Sequence, residues 1–271
     1  MGDRDSLLHE PGYGLLIEDT LIQSVAPFEE LMDEHAPSAK LSGGTSPTSL
    51  GQHSGHDVFD LAGRAVVPGL VDAHTHLLWA GDRSHEASLR RQGYSYHQIA
   101  EMGGGIAFTV RCTRDATQDE LVSEGERRLR LAMDHGTTFI EAKSGYGLDT
   151  KSELALLEAA DTLAKSTASP PMLHTWLGAH ATPPSEEGDG RTEESRRAAY
   201  VDEMLAEQLP AVLDQGIADS VDVFCEPGWF TVEETEEICR AGAGGGLQVR
   251  LHVDEFEEGG GAALAAELRA R

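Results

Sequence analysis

The chain has 271 residues, enough for one large domain with a small satellite. Its 47 acidic residues against 21 basic ones give a formal net charge of -26, which repels nucleic acid and anionic lipid and excludes both as partners. No apolar run reaches the length of a membrane span, and the start "MGDRDSLLHEPGYG" has no basic region leading into an apolar one, so no membrane association and a cytoplasmic location are expected.

An acid excess of this size keeps a protein soluble where salt screens its self-repulsion, so a high-salt, halophilic cytoplasm is expected, with a melting temperature that rises with KCl. Cys112, Cys225 and Cys239 are scattered without a C-x-x-C pair, which argues for reduced thiols rather than a disulfide framework or a cysteine zinc site.

In chain order, "GLLIEDTLIQSVAP" (14–27) gives two short apolar segments around a polar turn, a hairpin in a small β element. From Asp33 to Asp57 the composition turns to Ser, Gly and Pro, as in a mobile loop or insertion, and His35, His53 and His56 within it are read as solvated. Residues 1–65 are therefore expected to form a small β domain, and 66–271 a larger one. "VFDLAGRAVVPG" then leads into "LVDAHTHLLWAG", with His74 and His76 one residue apart. In a strand, side chains at i and i+2 share a face, so two imidazoles aim at one spot. A solvated strand end shows the same pair, so the spacing alone leaves both readings open.

Beyond this point strand-like stretches alternate with helix signals. "TTFIEAKSG", "MLHTWLGAH", "DSVDVFC" and "LQVRLHVDEF" read as strands. Capping boxes Thr117 to Glu120, Thr150 to Glu153 and Thr231 to Glu234 open three helices, the first carrying Leu121, Gly125, Leu129 and Ala132 on one face and stopping at Gly136. Strand–helix alternation without a fixed-period repeat leaves a doubly wound sheet or a (β/α)8 barrel. The unusual polar residues (His74, His76, "KSGYG", His180, His252, Glu255) all fall at strand carboxyl ends, where a barrel collects its working groups. "MGGGIAFT" (102–109) only weakly imitates a phosphate loop. The fold class predicted is α/β, a TIM-type barrel. His74, His76 and His252 on one rim make a candidate ligand set for a catalytic ion, with Glu255 close by for proton transfer.

At this point the residues carry a resemblance. "VVPGLVDAHTHLLWAGDR" (66–83) resembles the first barrel strand of the amidohydrolase superfamily. "TTFIEAKSGYGLD", "LGAHATPP", "DVFCEPGWF" and "HVDEF" together resemble the imidazolonepropionase family, over essentially the whole chain from Gly14 apart from the Ser/Gly-rich insertion. The resemblance implies a hydrolase of histidine degradation that opens 4-imidazolone-5-propanoate to N-formimidoyl-L-glutamate with metal-activated water, using one zinc or iron ion. By position it implies His74, His76 and His252 as metal ligands, Arg83, Tyr96, Tyr146, His180 and Glu255 as substrate contacts, and Glu255 and His180 as the groups that manage protons. Outside that context Arg83 reads as a surface ion-pair partner, Tyr146 as a packing aromatic and His180 as a loop cap.

A full (β/α)8 barrel takes about 250 residues, whereas five strands are counted here before the helix "GGAALAAELRAR". The expectation is a C-terminally truncated fragment, inactive and poorly soluble alone, with the family's later histidine and aspartate and the rest of a composite β-sandwich beyond Arg271. A homodimer is compatible with this reading. Two alternatives stand beside it: another cyclic amidohydrolase or deaminase, and a non-catalytic metal-binding remnant.

Overall fold

The "EDT" turn closes a hairpin in which β1 (Tyr13–Glu18) pairs antiparallel with β2 (Leu21–Pro27), and the chain runs directly into α1 (Phe28–His35). The computed structural model describes residues 12–40, 44, 46–95, 98–99, 102–184 and 189–271, and the chain divides into two units, Met1–Pro68 and Gly69–Arg271. The stretch read as an insertion holds more order than its composition announces. β3 (Thr48–His53) and β4 (His56–Asp60) form a second antiparallel hairpin. Its two-residue turn, Ser54–Gly55, has both φ angles positive, 51° and 91°. That is the backbone a tight hairpin with the right strand twist needs, and Ser-Gly supplies it. Strand propensity missed this element because Ser, Gly and Gln are weak strand formers, while turn geometry and cross-strand pairing carry it.

The second unit is built on five parallel strands in the order β5 (Leu70–Thr75), β6 (Thr137–Lys143), β7 (Met172–Ala179), β8 (Ser220–Cys225) and β9 (Gln248–Val253). The helices between them are α2 (Glu86–Arg91), α3 (Gly105–Asp115), α4 (Gln118–Asp134), α5 (Thr150–Ala164), α6 (Glu193–Glu203), α7 (Leu209–Gln215) and α8 (Val232–Gly244), followed after β9 by α9 (Gly261–Leu268). A π turn, Met204–Gln208, joins α6 to α7. Capping boxes start α4 at Thr117 and α8 at Thr231, as their sequences predict. At α5 the cap differs: Asp149 accepts from Ser152 N–H, and Glu153 turns away to bind the preceding loop. A Thr-x-x-Glu spacing cannot tell a cap from a carboxylate needed elsewhere.

One side of the sheet is apolar. Val221, Val223, Trp176, Ile238, Cys239 and Val249 belong to one buried cluster, and Ile140, Ala142, Leu121, Leu129 and Leu163 to another, which places α4, α5 and α8 against the alternate residues of the strands. The other side is polar: Glu141, Lys143, Thr175 and Asp222 are nearly fully buried and contact one another. Parallel strands covered on both faces are normally apolar throughout, so a buried charged face is a departure that asks for a function.

Five strands in a flat sheet would put the outer two about 19 Å apart, four steps of about 4.8 Å. Yet His74 on β5 and His252 on β9 bring their Nε2 atoms within 2.9 Å. The sheet is therefore curled into half of a closed wall, with the polar face inside the curve. No helix among the described residues is long and apolar enough to cross a membrane.

Candidate active site

His74 is the fifth residue of β5, and His76 lies one residue past its end. Their rings stand 5.9 Å apart, and the His252 ring, on β9, lies 4.3 Å from that of His74. His180 follows β7 directly and stacks on His76 with centroids 4.6 Å apart. Tyr146 completes the group, 4.8 Å from His76 and 5.2 Å from His180. Strand ends thus bring five of the eight residues singled out from sequence into one cluster.

Arg83 sits apart from the imidazoles, in the segment after β5. With Trp79, Glu86, Ala87, Arg90, Thr109 and Tyr146 it lines a cavity of about 310 Å³, so Tyr146 is shared between cavity and cluster. Buried Glu86 lies 3.2 Å from Arg83 Nε and also accepts from Gly105 N–H at 2.7 Å. The glycine run "MGGG" thus opens α3 onto a carboxylate of the chain itself, which satisfies a helix N-terminus without a bound phosphate. Glu255 is exposed on the loop after β9, and the Glu226 carboxylate accepts the backbone N–H groups of Glu255 and Phe256. Tyr96 lies outside the described residues.

The loop "SGYGLD" is shaped from within. Glu153, wholly buried, accepts from the backbone N–H groups of Gly145, Gly147 and Leu148 at 2.7–3.2 Å. Gly145 has φ +105° and its carbonyl accepts from His180 Nδ1 at 2.8 Å; a Cβ there would stand 3.0 Å from that ring nitrogen. Only glycine combines that backbone angle with that approach. With Nδ1–H donated to a carbonyl, His180 carries its lone pair on Nε2.

Burial disfavours the charged form of His74, His76 and His180. Burial pushes His180 down to about 4 against the opposing pull of the Gly145 carbonyl, and it drives His76 well below the ordinary histidine range, helped by His180, His74 and His252. His74 is lowered by burial and then by His252. Beneath them lies an ion network that the sequence reading did not single out. Lys143 Nζ reaches Glu141 at 2.9 Å and Asp222 at 2.7 Å, Arg250 Nε lies 3.1 Å from Glu141, and His252 Nδ1 is 3.0 Å from Asp222. Burial works to raise the Asp222 carboxyl, but His252 and Lys143 outweigh it and bring it down to about 2. The available signal was the alternation of charge inside otherwise apolar strands, "FIEAK" and "SVDV": residues of this type are rarely buried unless paired.

Imidazole nitrogens that converge on one point suit a borderline cation such as zinc or ferrous iron. His74 and His252 Nε2 stand 2.9 Å apart. Two ligands held tetrahedrally at about 2.0–2.1 Å from one ion would be about 3.3 Å apart, a small spread from the observed pair. His76 Nδ1 is buried without a hydrogen-bond partner. Among the described residues no group of three or more His, Cys, Asp or Glu side chains is arranged to hold a metal ion. The reason is visible: the third expected imidazole, His76, is stacked on His180, leaving a facing pair rather than a trio.

No family model matches the chain. Among curated proteins it is 44% identical over 209 residues to an imidazolonepropionase of Shewanella sediminis, covering 77% of this chain and 49% of that protein. It is 44% identical over 214 residues to one of Geobacillus thermodenitrificans, covering 79% and 49%. It is 45% identical over 214 residues to one of Methylobacterium nodulans, covering 79% and 51%. The chain spans about half the length of the curated relatives it matches.

Proposed function

On the premise that this chain is homologous to the imidazolonepropionases over most of its own length, we propose that its curled sheet is the corresponding part of a TIM-type barrel and that its imidazole cluster serves hydrolysis of 4-imidazolone-5-propanoate to N-formimidoyl-L-glutamate. The observation that carries the reading is the meeting of His74 and His252, 178 positions apart in sequence, at one point beside the Arg83 cavity.

In this reading His74 and His252 hold one zinc or iron ion, with His76, stacked on His180 here, as the third ligand that the resemblance implies, and burial disfavours a competing proton on His74 and His76. Such an ion supplies a Lewis acid for the ring carbonyl and makes water acidic enough to ionise near neutral pH. The remaining work falls to the chain's own side chains. Arg83, with Glu86 on its Nε side, grips the propanoate carboxylate. Tyr146 and Trp79 wall the cavity, and Tyr146 leads from it to the imidazoles. His180, with its lone pair on Nε2, orients the ring and accepts a proton, and Glu255 moves a proton as the ring C–N bond breaks. Tyr96 is proposed as a further substrate contact on the resemblance alone.

Saturation-transfer NMR on the zinc-loaded 271-residue chain tests this. The expected result is 4-imidazolone-5-propanoate bound by the wild type and not by Arg83→Ala, with unchanged circular dichroism. A wild-type chain that holds zinc but not this compound would contradict the reading.

A further inference from the structure

We propose that Asp222 is a positioning residue for His252: clasped by Lys143, it fixes the imidazole with its proton on Nδ1 and its lone pair on Nε2, aimed at the point His74 faces. This rests on the reading of His252 as a metal ligand. Asp222 Oδ2 is the atom that both partners approach, Lys143 Nζ at 2.7 Å and His252 Nδ1 at 3.0 Å. A carboxylate oxygen bound by an ammonium is an acceptor only, so a ring nitrogen at that distance is tolerated only if it carries hydrogen. His252 Nδ1 is buried, and its approach to Asp222 is short but bent away from the ideal hydrogen-bond line. With Nδ1 protonated, Nε2 presents its lone pair to His74 Nε2, 2.9 Å away.

The network explains why charges are buried here at all. Arg250, Glu141, Lys143 and Asp222 alternate in sign along β9, β6 and β8, and the row ends on the His252 ring. An apolar replacement would fill the curve as well without the desolvation cost. A row of charges ending on a ligand ring sets that ring's tautomer and angle, which is what outer partners of metal-bound histidines do.

The test uses the full 271-residue chain with ¹⁵N-labelled histidine. Without metal, the His252 signals, identified by their loss in His252→Ala, should show the Nδ1–H tautomer in the wild type and a mixed or reversed tautomer in Asp222→Asn. Zinc affinity, measured by chelator competition, should fall about 10–100-fold in Asp222→Asn. If that variant does not fold, Lys143→Met/Asp222→Asn removes both buried charges together and should show the same two changes. Loss of zinc binding in His252→Ala together with an unaltered tautomer or unaltered affinity in the Asp222 variant overturns the inference and leaves the ligand reading standing. Undiminished affinity in His252→Ala overturns the ligand reading itself.

Discussion

The middle and the edge of the parallel sheet are held by different physics. β8 is buried at every position and β6 over its last four, with helices on one face and the ion network on the other. β5 is exposed at four of its six positions, and Leu70 and Val71 remain 57% and 64% exposed. Yet β5 carries His74. The middle strands owe their place to burial, whereas the edge strand's contribution is chemical, an imidazole delivered across the curve to the one on β9. Stability and the proposed function therefore separate by strand.

The comparison breaks most sharply at Lys143. Lys143→Met leaves Glu141 and Asp222 buried beside an apolar side chain, and the expected cost is about 3–5 kcal/mol in urea unfolding. Val71→Ala on the exposed edge should change the same measurement by less than about 0.5 kcal/mol. Equal effects at the two sites would erase the distinction.

Acid sharpens it next. His180 is pushed down to about 4 in the folded chain, below the ordinary histidine value of about 6.5. Between those values the unfolded chain binds the proton and the folded chain does not, so stability falls as pH falls through that window. Asp222, brought down to about 2, continues the loss from about pH 4 to about pH 2, because protonation then favours the unfolded chain. Melting curves of the metal-free chain should show both stretches, and His180→Gln should flatten the upper one only. A smaller effect is expected at Asp149→Ala, which removes the α5 cap at a cost of about 1 kcal/mol, against a few tenths for Thr150→Ala. The reverse order would restore the threonine cap that the sequence spacing predicts.

The same comparison explains what was legible in the sequence. Strand and helix alternation, the five parallel strands and two capping boxes follow from periodicity and end signals, which are local. The His-x-His pair and His252 stood out because histidines at strand ends are unusual. The Lys143–Asp222 contact was hidden because its partners are 79 positions apart, and a lysine in a strand reads as exposed until the sheet curls. The β3–β4 hairpin was hidden for the opposite reason: its geometry resides in a two-residue turn, and its composition says loop. Glu226, which fixes the backbone of the loop bearing Glu255, was missed because a carboxylate that binds main-chain N–H groups has no sequence spacing of its own.

The proposal that β5 and β9 converge on one cation is tested most directly by calorimetric titration of zinc into the metal-free 271-residue chain. One site is expected in the wild type, with binding lost in both His74→Ala and His252→Ala while the circular dichroism stays unchanged. Zinc bound as tightly by either variant as by the wild type would contradict the account.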